Sequence, residues 1–118
     1  GTRRHEIERV LELIDMTDLA NRPIGHLSGG QLQRALFGRA IIRKPEILVL
    51  DEPLSYIDKH FEERLYDIID DISHSATILL VSHEMSEISA MANRHIIVDH
   101  TLTECCATRH FIPPQCTE

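Results

Sequence analysis

The sequence predicts an α/β layered fold, with a mostly parallel sheet and a helical portion that precedes it. The helical signals fill residues 1–43. A short, continuous apolar run, Ile47 to Leu50, suits a strand buried on both faces of a parallel sheet, and Thr77 to Ser82 is predicted as a second buried strand. A helical pattern separates them, and strand, helix, strand is the order of an α/β layer. We therefore predict a helical subdomain portion over 1–43 and an α/β portion over 44–118.

Two helices are predicted in the first portion, residues 1–43. The first, over about residues 4–15, is indicated by apolar residues at helical spacing: Ile7, Val10, Leu11 and Ile14. Residues 21–25, Asn-Arg-Pro-Ile-Gly, interrupt this pattern and predict a loop. Ser28, with Gln31 three residues later, has the pattern of a capping box. A second helix should therefore begin at Ser28 and run to about Arg43.

Helix and hairpin signals surround the two apolar runs of the second portion. Asp58 is placed to cap a helix whose apolar stripe consists of Phe61, Leu65, Ile68 and Ile72. A short helix is predicted over residues 84–92. Residues 96–98 and 101–105 are expected to pair as a terminal hairpin.

Composition excludes several classes of protein. The 118 residues suit one domain with a modest core. The net charge of −7 argues against nucleic acid as a partner, because nucleic-acid binders concentrate Lys and Arg on one face. The three cysteines are an odd number clustered near the C-terminus, which is a poor disulfide framework and fits a reducing compartment. No apolar run is long enough to span a bilayer. We expect a soluble, intracellular protein.

Two segments have the residue types of a phosphate site. At Ser28-Gly29-Gly30-Gln31, a helix N-terminus offers unpaired amides to an anion, and the two glycines carry no side chain that would keep a phosphate away. The plainer interpretation is that Ser28 and Gln31 only cap the helix. Asp51 and Glu52 follow an apolar run, at the end of a strand where α/β sheets bind ligands. The plainer interpretation there is a turn before Pro53.

Taken together, these segments resemble those of ABC-type ATPases. Residues 27–34, Leu-Ser-Gly-Gly-Gln-Leu-Gln-Arg, resemble the family's signature motif, and residues 47–53, Ile-Leu-Val-Leu-Asp-Glu-Pro, resemble its Walker B strand. Residues 54–58 stand at the place of the D-loop, where Asp58 matches the usual aspartate but Tyr56 replaces a small residue. His83, in Val-Ser-His-Glu, resembles the switch-loop histidine. Alone, His83 would more often be a surface residue.

The resemblance implies a fold and a set of roles. The fold would be a partial P-loop NTPase fold of the ABC ATPase type. The cofactors would be ATP and Mg²⁺, with Asp51 at the magnesium site. Glu52 would act as general base, and His83 would contact the γ-phosphate. The signature residues Ser28, Gly29, Gly30 and Gln31, together with Asp58, would contribute to nucleotide binding.

A phosphate-binding loop of the form Gly-x-x-x-x-Gly-Lys-Ser/Thr does not occur in these 118 residues. The chain therefore resembles the C-terminal half of a nucleotide-binding domain, and we expect it to be inactive alone. The implied partners are a second ATPase subunit and transmembrane permease subunits, on the cytoplasmic face of a membrane. Gln31 favours a transporter, and Cys105-Cys106 resembles the tail of bacterial zinc and manganese uptake ATPases. The alternatives are an SMC-type or DNA-repair ATPase and a non-enzymatic dimerisation module.

Overall fold

A computed structural model describes residues 2–83, 91–99 and 101–105 of the chain. The chain divides into two compact units, Gly1–Val81 and Ser82–Glu118. The first unit contains three α-helices and two strands, in the order α1 (Thr2–Leu13), α2 (Gly29–Ile41), β1 (Ile47–Asp51), α3 (Lys59–Ile72) and β2 (Thr77–Val81). Two short 3₁₀ helices, Thr17–Leu19 and Ile24–His26, lie between α1 and α2. The predicted subdomain boundary at residue 43 stays a prediction.

Helices α1 and α2 pack closely because α2 has a glycine at their contact. A Cβ at Gly38 would lie 2.8 Å from Ile14 Cδ1 and 3.1 Å from Val10 Cγ1, so a larger residue would require these side chains to shift. Both predicted helices are present. Helix α1 begins and ends two residues earlier than expected, and α2 ends at Ile41, with Ile42 as its C-cap residue.

Strands β1 and β2 form a two-stranded parallel sheet, as the order of elements predicted. The register pairs Ile47 with Thr77 and continues to Asp51 with Val81. Helix α3 connects them, and its apolar stripe is buried at Phe61, Leu65, Ile68 and Ile69. These residues form one core cluster with Leu48 and Leu50 of β1 and with residues of α1 and α2.

The expectation that β1 is buried on both faces, and that β2 is a second buried strand, is wrong for the described part of the chain. Alternate residues of a strand point to opposite faces, and the core covers only the face of Leu48 and Leu50. On the opposite face, Ile47 is 68% exposed and Val49 is 60% exposed. Leu79 and Val81 of β2 are also about half exposed, at 53% and 47%. One sheet face of this unit is therefore apolar and exposed.

The second unit contains the terminal hairpin. Strands β3 (His95–Asp99) and β4 (Thr101–Cys105) pair antiparallel, from His95 opposite Cys105 to Asp99 opposite Thr101. This pairing confirms the predicted hairpin, whose first strand is one residue longer at each end than expected. Of the short helix predicted over 84–92, residues 84–90 lie outside the described part, as does Cys106 of the cysteine pair. No described helix is long and apolar enough to cross a membrane.

Candidate functional site

The N-terminus of α2 is closed by a reciprocal cap. Ser28, in an extended conformation, accepts a hydrogen bond from the Gln31 amide at 3.1 Å, and the Ser28 amide donates to Gln31 Oε1 at 3.0 Å. The predicted capping box is therefore confirmed. Ser28 and Gly29 are exposed to solvent, and the first-turn amides of a helix have no intrahelical carbonyl to bond. This tip of α2 has the geometry and partial charge that suit an anion.

The carboxyl end of β1 presents two acidic residues outside the core. Asp51 is exposed and Glu52 is half-buried. The Glu52 amide donates to the Val81 carbonyl at 2.8 Å, which extends the pairing of the sheet by one residue. Glu52 itself has a φ of 49°, in the left-handed region that non-glycine residues rarely adopt. Asp15, Lys44 and Tyr56 also have a positive φ, so this conformation alone does not mark Glu52 as functional, and it requires contacts that hold it in place.

The turn after Glu52 packs against the tip of α2. Its backbone is folded tightly, since the Ser55 amide donates to the Glu52 carbonyl at 3.2 Å. At the far end of the turn, the Tyr56 carbonyl oxygen occupies the space where a Cβ on Gly30 would lie. A Cβ on Gly29 would instead meet the Tyr56 ring at 3.7 Å, an ordinary contact. The structure thus brings the signature segment, residues 27–34, together with residues 54–58 through backbone at Gly30.

A contact between the signature segment and the turn at Glu52 was missed by sequence reasoning. Gln33 Nε2, from the second turn of α2, lies 3.3 Å from the Glu52 carbonyl oxygen and 3.5 Å from that of Pro53. The sequence identifies Gln33 only as part of the motif, because no spacing rule connects it with a turn nineteen residues away. The packing of α2 against β1 creates this contact.

The remaining predicted site residues lie at separate places. Asp58 caps α3 by accepting a hydrogen bond from the Phe61 amide at 2.8 Å, so its predicted cap is confirmed. His83 belongs to the second unit, two residues after the end of β2, and is exposed. The roles assigned to both in nucleotide chemistry stay predictions.

Arg34, in α2, contacts residues of α3 and of the segment at the end of α1. It is another residue to which sequence reasoning assigned no role. Its guanidinium lies 5.0 Å from the centre of the Phe61 ring and 3.8 Å from the Asp15 carboxylate. It also donates to the Ile14 carbonyl at 3.4 Å, at the end of α1. With its side chain only 15% exposed, Arg34 joins α1 and α3 to the helix that carries the cap.

The residues present fit a magnesium nucleotide in their chemistry. An exposed carboxylate is a ligand type that Mg²⁺ accepts, and Mg²⁺ is commonly held by one or two carboxylates together with phosphate oxygens. The glycine-bearing tip of α2 suits the phosphate itself. Among the described residues, no group of three or more His, Cys, Asp or Glu could hold a metal ion by itself.

The α/β layer, the capped helix tip and the acidic residues at the strand end, taken with the motifs, resemble a nucleotide-binding domain of the ABC class. Residues 2–55 match the family model described as ABC transporter. The zinc import ATP-binding protein ZnuC of Agrobacterium fabrum is 42% identical over 107 residues, which are 89% of this chain and 33% of that protein. A probable metal transport system ATP-binding protein of Chlamydia pneumoniae is 35% identical over 102 residues, or 86% of this chain and 42% of that protein.

A solved structure supports the same assignment. The chain superposes with a TM-score of 0.73 and 26% identity on an inward-facing putative metal-chelate type ABC transporter, over 87% of this chain and 42% of that chain. The chain therefore resembles part of an ABC transporter ATP-binding domain, as the motifs predicted, and the two relatives named above are ATP-binding proteins of zinc import and metal transport. It spans between a third and about two fifths of the length of these curated relatives.

Proposed function

We propose that this chain works as part of the ATP-hydrolysing subunit of an ABC transporter that imports a metal ion, zinc or manganese. The observation that carries this proposal is the packing of the turn after Glu52 against the exposed, glycine-bearing tip of α2. The metal is suggested by the relatives, whose names describe zinc import and metal transport. These residues would act in an intact subunit, because a phosphate-binding loop is not among them.

Each predicted site residue has a role in this proposal. The tip of α2, with Ser28 and the glycines, binds phosphate of ATP through backbone amides and a hydroxyl. Asp51 holds Mg²⁺, which neutralises phosphate charge when bound. Glu52 accepts a proton from the attacking water, which is general base catalysis. His83 contacts a γ-phosphate, as the switch-loop histidine of the family does, and Asp58 acts in the turn between subunits.

The proposed partners follow from the open surfaces of the site. In the ABC family that the motifs resemble, an exposed helix tip like that of α2 meets a nucleotide held by a second ATPase subunit, which we propose as the first partner. Transmembrane permease subunits would couple hydrolysis to import, and the subunit would lie on the cytoplasmic face of the membrane. The net charge of −7 supports a role without nucleic acid.

The test is Glu52→Gln in the intact subunit, with Glu63→Gln on the exposed surface of α3 as the matched control. Loss of the general base should lower kcat for ATP hydrolysis by about 10²–10⁴-fold. ATP affinity should be kept, because the amide retains the shape of the carboxylate. Glu63→Gln should hydrolyse ATP like the wild type. Undiminished steady-state hydrolysis by Glu52→Gln would remove Glu52 from the chemistry.

A further inference from the structure

Gln33 links the helix that carries the anion-binding tip to the backbone of the acidic turn. Its side chain is half-buried, and its amide nitrogen faces two consecutive carbonyl oxygens, those of Glu52 at 3.3 Å and Pro53 at 3.5 Å. A neutral amide has two N–H groups, so one side chain can serve both acceptors. Gln33, Asp51 and Pro53 also line one cavity of about 220 Å³ between α2, β1 and α3.

The backbone that Gln33 contacts is held in a strained conformation. A φ of 49° at Glu52 costs free energy for a residue with a side chain, and it persists only where the surroundings fix it. Two backbone hydrogen bonds contribute, from the Glu52 amide to Val81 and from the Ser55 amide to the Glu52 carbonyl. The Glu52 carbonyl also accepts the hydrogen bond from Gln33, and this donor lies on α2.

We propose that Gln33 is a positioning residue, which holds the left-handed backbone of Glu52 and thereby aims its carboxylate. The direction of a side chain is set by the φ and ψ of its own residue, so a rotation of the Glu52 peptide displaces the carboxylate. Because the fixing group lies on α2, any movement of the anion-binding tip is transmitted to the carboxylate. This inference rests on the proposed function, in which Glu52 is the general base.

The main variant is Gln33→Met, with Arg39→Ala, an exposed residue of the same helix, as control. Methionine is similar in length to glutamine and favours helix, but it has no donor. We expect kcat for ATP hydrolysis to fall about tenfold, which corresponds to the loss of one hydrogen bond from the transition state. The KM for ATP should stay at the wild-type value, and the melting temperature should fall by only a few degrees because one hydrogen bond to the turn is lost. In Arg39→Ala all three quantities should stay at the wild-type values.

A second variant, Gln33→Glu, keeps the size of the side chain and directs an ionised oxygen at the two carbonyls. We expect its kcat to fall below that of Gln33→Met, because the contact becomes repulsive. A side chain that merely filled space would show the opposite order, with glutamate nearer to wild type. If Gln33→Met fails to fold, the kcat of Gln33→Glu decides the question alone.

Glu52→Gln, measured beside these variants, separates this inference from the proposed function. If Glu52→Gln stops hydrolysis while both Gln33 variants keep wild-type kcat, the positioning role is wrong and the function stands. A lower melting temperature with unchanged kcat would likewise show that Gln33 stabilises the fold but does not position Glu52. If Glu52→Gln hydrolyses ATP normally, the general base is misassigned and any loss at Gln33 has another cause.

Discussion

Two neighbouring glycines at the tip of α2 should respond in opposite ways to the same added methyl group. Gly29 and Gly30 both lie in the first turn of the helix, and neither has a positive φ, so alanine meets no backbone penalty at either position. In a helix, replacing glycine by alanine stabilises by roughly 0.5–1 kcal/mol. The difference between the two variants therefore depends on what the new methyl group meets.

At Gly29 the methyl group would lie 3.7 Å from the Tyr56 ring, which is 80% exposed and free to adjust. We expect Gly29→Ala to be neutral or to stabilise by about 0.5 kcal/mol. At Gly30 the methyl group would overlap the Tyr56 carbonyl oxygen, which belongs to backbone. Forcing an added methylene into a packed site costs about 1–3 kcal/mol. We expect Gly30→Ala to destabilise, and to be less stable than Gly29→Ala by about 2 kcal/mol.

Urea unfolding followed by circular dichroism measures this difference. With a slope of roughly 2 kcal/mol per M urea, the midpoint of Gly30→Ala should lie about 1 M below that of Gly29→Ala. The slopes themselves should agree, since neither change alters the surface exposed on unfolding. Equal midpoints, or a more stable Gly30→Ala, would show that the turn at Tyr56 does not rest on Gly30, and the described junction of residues 27–34 with residues 54–58 would be wrong.

Two further predictions concern the packing that supports the site. Arg34→Lys keeps the charge but loses the planar group that lies over Phe61 and reaches the end of α1. We expect the free energy of unfolding, measured by thermal unfolding, to fall by about 1–2 kcal/mol. A decrease near zero would show that these contacts do not stabilise the protein. For the sheet, Leu48→Ala should cost about 2–5 kcal/mol because Leu48 is 3% exposed. Ile47→Ala, at 68% exposure, should cost within about 0.5 kcal/mol, and an equal cost at both positions in denaturant unfolding would show that the second face is covered.

Local patterns predicted the elements well because their causes are local. The capping box at Ser28 and the cap at Asp58 involve residues three apart, so the spacing in the chain already contains the contact. The parallel pairing of β1 and β2 followed from the helix between them. Burial of both sheet faces could not be read in this way. An apolar run indicates that burial of its side chains is favourable, but it does not indicate whether other residues of the chain pack against both faces.

By itself, the sequence determined the class of the fold, the two motifs and the placement of Ser28, Asp51 and Glu52 at the ends of their elements. Only the tertiary structure decided that Gln33 reaches the carbonyl of Glu52, that the Tyr56 carbonyl rests on Gly30, and that Glu52 is left-handed. The reason is physical. The first set depends on neighbours in the chain, whereas the second depends on how α2 packs against the turn after β1, which brings together residues about twenty to thirty positions apart.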